Sequence, residues 1–213
     1  MLKLIIAYIL TFIVAYLIGS IPTGYLIVKK LKGIDIRETG SGSTGATNVK
    51  RILGTKWFFA VMLIDGLKGI LAVLLAYKFS NNAAYFNKAG ELVNLYGLGA
   101  VLCAFAAMLG HSKSIFLKFT GGKSVATGIG ALLAINLPIG LVVVGVWAVT
   151  AFFTKFVSLG SVVAVCLAPI LMTFWDGNIF YICFAAVCAI FIIFTHKENI
   201  IRLIQGKENK VRK

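Results

Sequence analysis

The 213-residue chain is 60% hydrophobic, only 13% charged and carries a formal net charge of +14, with a mean hydropathy of +0.96. That apolarity excludes a water-soluble globular protein, because most of the surface must face lipid or other buried helices. The basic excess has a topological explanation, since cytoplasmic loops of membrane proteins collect Lys and Arg, and it needs no nucleic-acid partner.

Seven apolar runs follow one another, over 4–28, 57–77, 92–109, 125–137, 139–153, 157–175 and 179–194. They predict an all-α integral membrane protein, a single polytopic domain over 1–213 with seven transmembrane helices. Alternate loops sort the charge. The cytoplasmic loops near 29–56, 111–124 and 154–157 and the tail 195–213 hold seventeen Lys and Arg, against Lys3, Lys78 and Lys88 on the other side. That asymmetry places the N-terminus outside and the C-terminus in the cytoplasm. The first run is long and is followed by a basic stretch, so it reads as an anchor and not a cleaved signal peptide. Within it, Gly19-Ser-Ile-Pro-Thr-Gly24 predicts a kink or break, because Pro22 removes a helix hydrogen bond.

Between the first two runs lies a polar, glycine-studded segment, Thr39 to Arg51. Gly40, Gly42 and Gly45 free the backbone to turn its N–H groups toward one point, and Ser41, Ser43, Thr44, Thr47 and Asn48 add side-chain donors. Arg51 closes it with a guanidinium fork matched to phosphate. The segment reads as an anion-binding loop. In the second run Asp65 and Lys68 stand three apart on one helix face, which predicts an internal ion pair. The external loop over 80–91 carries no concentration of reactive groups. The fourth run is too short to cross a full bilayer, and Gly128, Gly130, Gly140 and Gly145 read as helix-contact residues. Cys103, Cys166, Cys183 and Cys188 lie in apolar runs without metal-ligand spacing and read as small buried hydrophobes, with no disulfide and no metal.

A second polar constellation runs from His111 to Thr127. Gly121-Gly122-Lys123-Ser124 looks like the end of a nucleotide-binding loop, but that pattern needs glycine at 117, where Leu117 stands. What remains is a glycine pair and a lysine at the start of a helix, a second anion pocket. The third constellation, His196 to Glu208, places His196 and Asn199 on one helical face. All three lie on the cytoplasmic side. Such a site suits transfer of a lipid or acyl unit to or from a phosphorylated acceptor; the alternative is a transporter or channel for a phosphorylated small solute.

Gly19-Ser-Ile-Pro-Thr-Gly24, Gly40-Ser-Gly-Ser-Thr-Gly-Ala-Thr-Asn48 with Arg51, Gly110-His111, Gly121-Gly-Lys123 with Val125-Ala-Thr127, Val157-Ser158-Leu, and His196-Lys-Glu-Asn-Ile200 with Arg202, Gly206 and Glu208 resemble the bacterial acyl-phosphate:glycerol-3-phosphate acyltransferases. The resemblance implies a seven-helix, multi-pass enzyme of the bacterial inner membrane with its active site facing the cytoplasm. It would move a fatty acyl group from acyl phosphate to the sn-1 hydroxyl of glycerol 3-phosphate, releasing lysophosphatidate and inorganic phosphate, the first acylation of phospholipid synthesis. It implies catalytic roles for Ser41, Arg51, Lys123, His196 and Asn199, and substrate binding by Gly40, Gly42, Thr47, Asn48, Gly121, Gly122, Ser158 and Glu208. No cofactor or metal is implied. The partners are the two substrates, membrane lipid and an upstream acyl-phosphate-forming enzyme. The residue five after His111 is Phe116, so the His–Asp chemistry of the thioester-dependent acyltransferases is absent. Either His196 or a substrate phosphate takes the hydroxyl proton, and the expected route is direct, without an acyl-enzyme.

Overall fold

Each of the seven apolar runs contains helix in the computed structural model, which describes residues 2–80, 84–86 and 92–210. Among the described residues four stretches are long and apolar enough to cross a membrane: Leu2–Lys32, Thr55–Phe79, Leu137–Thr154 and Val157–Asp176. A fifth is reached if Ile179–Thr195 and Lys197–Ile204, bent by 64° at their junction, count as one span. The remaining two apolar helices, Leu98–Ser112 and Val125–Ile135, are shorter. At 1.5 Å per residue an 11-residue helix is about 17 Å long, roughly half a hydrocarbon layer.

The packing falls into two units, Met1–Ile135 and Asn136–Lys213. In the first, α1 (Leu2–Ser20) stops at the expected break and α2 (Thr23–Lys32) resumes beyond Pro22. The carbonyls left at the break are met from elsewhere in the unit. Ser114 Oγ donates to Ser20 O at 2.5 Å, and Lys68 Nζ donates to Ile21 O at 2.6 Å. Two further helices follow, α3 (Ala46–Leu53) and α4 (Thr55–Phe79), then a short antiparallel pair, β1 (Ala84–Phe86) and β2 (Leu92–Asn94), then α5 (Leu98–Ser112) and α6 (Val125–Ile135). This short pair sits in a connection of an otherwise all-helical fold, and the third run becomes helical only at Leu98, after Gly97 takes a left-handed φ of 94°. The rest of the loop expected over 80–91 lies mostly outside the described residues.

Glycines set the close helix contacts. A methyl on Gly19 would collide with the Ala107 backbone, one on Gly110 with Tyr16 and Ser20, and one on Gly130 with Gly66. These fix the α1–α5 and α4–α6 crossings. Gly145, expected to do the same, has open space around it. Along α4 the polarity is inverted relative to a soluble helix. Asp65 and Lys68 are buried while Leu63, Leu67, Leu71 and Leu74 are exposed, as a lipid-facing helix requires.

The second unit holds α7 (Leu137–Thr154), α8 (Val157–Leu171), α9 (Ile179–Thr195) and α10 (Lys197–Ile204). The break before α7 lies at Asn136, one residue earlier than expected. Asn136 caps the helix by accepting the Ile139 N–H at 3.1 Å, and Pro138 falls in the first turn, where its missing N–H costs nothing. Past Pro169, α8 ends in a π turn over Met172–Asp176. Cys103 and Cys188 are buried as expected, whereas Cys166 and Cys183 are exposed.

Candidate functional site

In the first unit the glycine-rich loop is shaped by one side chain. Asn48, in the first turn of α3 and 1% exposed, accepts the Ser41 N–H on Oδ1 at 3.1 Å. Its Nδ2 donates to the carbonyls of Ile36, Thr39 and Ser43 at 3.2, 3.0 and 2.9 Å. Gly40 and Gly42 turn the chain through left-handed φ values of 61° and 67°. A side chain at Gly40 would strike the Asn48 amide oxygen.

Two expectations bear on this loop: Asn48 as a substrate-binding donor, and backbone N–H groups turned toward one point. The Asn48 amide hydrogens are committed to the loop's own carbonyls, and three of the loop amides are engaged within the segment. The Ser41 N–H is taken by Asn48, that of Gly42 by Thr39 O at 3.1 Å, and that of Gly45 by Ser43 Oγ at 3.3 Å. The loop presents side chains instead. Ser41 and Arg51 are both exposed, and Thr47 is half-buried. A Cβ built on Gly40 would lie 3.7 Å from Arg51 Cδ, so the arginine stem runs beside the residue next to Ser41. Among the described residues Arg51 has no hydrogen-bond or ion-pair partner.

Arg37, which sequence reasoning missed, ties this loop to the second constellation. It clasps Asp35 through Nε and Nη2, the shorter contact 2.6 Å, and lies over the Tyr25 ring at 5.5 Å. Its Nη1 reaches Leu117 O and Thr120 Oγ1, both at 3.4 Å. The hydrogen bonds from Arg37 hold the Asp35 carboxyl below the usual carboxylate range. The acid–x–arginine spacing of Asp35 and Arg37 was the available signal.

The second constellation folds back onto the end of α5. The Gly122 N–H donates to His111 O at 3.0 Å. A methyl on Gly121 would strike the His111 and Ser112 carbonyls, and one on Gly122 the His111 ring. The glycine pair is therefore needed for close approach, and the Gly122 amide, expected as an anion donor, is already used. Lys123 is half-buried. Ser124, with φ 62°, donates from Oγ to Met108 O at 2.6 Å and precedes α6. Two residues into that helix, Thr127 has a fully buried hydroxyl without a hydrogen-bond partner among the described residues. The expected ion pair is present: Lys68 Nζ donates to Asp65 Oδ1 at 2.5 Å.

In the second unit, Glu208 gathers three donors. Ser158 Oγ and Asn199 Nδ2 donate to Oε1 at 2.9 and 2.6 Å, and Arg202 Nε donates to Oε2 at 2.8 Å. Burial would raise this carboxyl; the hydrogen bonds from Asn199, Arg202 and Ser158 outweigh it and hold Glu208 below the usual range. Ser158 and Glu208, expected as substrate contacts, thus engage one another, and the carboxylate braces Asn199. His196 is 5% exposed and stands at the bend between α9 and α10 rather than on one continuous helix with Asn199. Its Nδ1 lies 2.8 Å from Ile192 O. A carbonyl only accepts, so Nδ1 carries a proton and donates it to Ile192 O.

Comparison with known proteins gives one answer. A family model described as glycerol-3-phosphate acyltransferase matches residues 9–206. The chain is 48% identical over 202 residues to a protein of that name from Nostoc sp., covering 93% of this chain and 89% of the other. It is 40% identical over 220 residues to another from Acholeplasma laidlawii, covering 95% and 92%. Among solved structures it is similar to PlsY (YgiH), described as an integral membrane glycerol 3-phosphate acyltransferase. The glycerol 3-phosphate form superposes with a TM-score of 0.84 at 34% identity and 96% coverage of both chains. The lysophosphatidic acid form gives 0.82 at 34% identity, with 96% and 95% covered.

Proposed function

The chain belongs to the glycerol-3-phosphate acyltransferase family, and on that premise we propose that it acylates glycerol 3-phosphate at the sn-1 hydroxyl with an acyl group taken from acyl phosphate. The products are lysophosphatidate and inorganic phosphate. The solved relative is described in glycerol 3-phosphate and lysophosphatidic acid forms, which supports the acceptor and the product. The donor assignment rests on chemistry. Acyl phosphate is a mixed anhydride with a good leaving group, so the enzyme has mainly to hold two anions together and orient a hydroxyl.

The observation that carries this reading is the presentation of Ser41 and Arg51. Asn48, Thr39 and Ser43 engage the amides of Ser41, Gly42 and Gly45 and fix the loop's shape, leaving at its surface an exposed hydroxyl and an exposed guanidinium without a hydrogen-bond or ion-pair partner among the described residues. A flexible connector has no need of a buried amide with four bonds. In the proposed reaction Arg51 and Lys123 hold phosphate groups, Ser41 and Thr47 donate hydrogen bonds, and His196 and Asn199 orient glycerol 3-phosphate, with Glu208 and Ser158 bracing Asn199. The acceptor oxygen attacks the acyl carbonyl, the carbonyl–oxygen bond to phosphate breaks, and the hydroxyl proton leaves with the departing phosphate or to His196. The chain crosses a bacterial inner membrane seven times, N-terminus outside, with these groups on the cytoplasmic face, and draws its donor from an acyl-phosphate-forming enzyme.

The test is phosphate release from acyl phosphate by the purified full-length protein, with and without glycerol 3-phosphate, and mass-spectrometric detection of lysophosphatidate. Acceptor-dependent release with product is expected. No release, or transport of glycerol 3-phosphate into vesicles without acylation, refutes the reading.

A further inference from the structure

The Gly121-Gly122-Lys123 turn rests on a chain of buried polar groups that the proposed reaction does not use. Lys68 Nζ bonds both Ile21 O, at the break between α1 and α2, and Asp65 Oδ1, at 2.6 and 2.5 Å. The same carboxylate oxygen, Asp65 Oδ1, lies 3.7 Å from His111 Nδ1. His111 then meets the turn twice. Its carbonyl accepts the Gly122 N–H at 3.0 Å, and its ring fills the space where a Gly122 side chain would go. We propose that His111 is a positioning residue, clamped between Asp65 and the Gly122 backbone so that it sets where Lys123 presents its ammonium group.

Stability does not account for the cluster. Asp65, Lys68 and His111 are 2, 4 and 9% exposed among apolar helices, and a buried ion pair is typically no more stabilising than well-packed apolar groups of the same volume. What such a pair supplies is a fixed geometry, and this one reaches both anion-facing segments. Through Ile21 it fixes the start of α2, whose Gly24 packs so closely on Thr44 of the glycine-rich loop that a methyl there would collide. Through His111 it fixes the Gly-Gly-Lys turn. One carboxylate therefore sets both segments from a common point.

The inference rests on the reading that Lys123 holds a substrate phosphate. The test compares wild type, His111→Asn, Asp65→Asn, Lys123→Ala and the His111→Asn/Lys123→Ala double variant, all full length in detergent. His111→Asn keeps a donor for Asp65 but withdraws the ring from Gly122; Asp65→Asn serves if that variant does not fold. The expected result is a KM raised at least about fivefold for one of the two phosphate substrates with kcat within about threefold of wild type, and a double variant no worse than Lys123→Ala alone. Unchanged KM values with activity lost in proportion to folded protein, or effects that multiply in the double variant, overturn the proposal. If wild type releases no phosphate from acyl phosphate, the donor assignment falls by itself. Calorimetric titration of the same variants with glycerol 3-phosphate and with inorganic phosphate then decides: weakening that disappears in the Lys123→Ala background supports the clamp, and unchanged binding removes it.

Discussion

The side-chain oxygen of Asn48 accepts the Ser41 N–H at 3.1 Å while its nitrogen donates to Ser43 O at 2.9 Å, so one amide spans the loop from both ends. Aspartate has the same size and keeps the acceptor but loses the donor. In Asn48→Asp three carbonyls would face a buried carboxylate oxygen. The expected cost is about 2–4 kcal/mol of stability, from lost hydrogen bonds and an uncompensated charge. Thermal unfolding in detergent should show a lower midpoint, and kcat/KM should fall with Ser41 and Arg51 chemically intact. A wild-type midpoint would mean the loop holds its shape without this amide.

Arg51 offers the opposite case. Exposed, and without a hydrogen-bond or ion-pair partner among the described residues, it contributes little to the fold, so its replacement should be felt in turnover alone. Arg51→Lys retains the charge and loses the planar fork. The expected loss in kcat/KM is at least tenfold, about 1.4 kcal/mol of transition-state binding, with an unchanged unfolding midpoint. Wild-type turnover in this variant would take Arg51 out of the site.

These two residues also show how far the sequence could be read. The apolar runs, the break at Pro22 and the Asp65–Lys68 pair were legible because each is local: a run of side chains, a missing N–H, a helical spacing of three. The use made of the glycines was not. Gly40, Gly42, Gly121 and Gly122 have the composition of an anion-binding nest, yet several of their neighbouring amides are spent on Asn48 and on the end of α5. That depends on which distant group arrives to accept them. Glu208 is similar. Its contact with Ser158 joins positions 50 residues apart, and no spacing announces it.

Glu208 leads to a pH dependence with a definite sign. Its folded-state carboxyl sits below the usual range because Asn199, Arg202 and Ser158 outweigh the effect of burial. A depressed folded value stabilises the protein fully above the unfolded glutamate pKa, about 4.3. That contribution is lost as pH falls from there through the lowered folded value. In an unfolding series from neutral to acidic pH, wild type should lose midpoint across that window. Glu208→Gln should begin lower at neutral pH and lose less over the same window. Parallel curves for the two proteins would show that the carboxylate is not what Asn199 and Arg202 lean on.

Gly110 and Gly145 make a controlled pair for the helix contacts. Both lie in apolar helices, and the same methyl is added in each alanine variant. At Gly110 it would be driven into the Tyr16 carbonyl and the Ser20 and Gly19 backbone of α1; backbone cannot swing aside, so α1 and α5 must separate. Overpacking of this kind costs about 1–3 kcal/mol or more. The separation would also strain the contact between Tyr16 Oη and Lys113 O, now 2.7 Å. At Gly145 nothing stands within 4 Å, so the methyl meets lipid and removes a flexible residue from α7. Gly110→Ala should therefore give a lower unfolding midpoint and a smaller monodisperse fraction in detergent, while Gly145→Ala should match or slightly exceed wild type. Equal behaviour of the two would mean that the α1–α5 crossing is not set by close backbone approach.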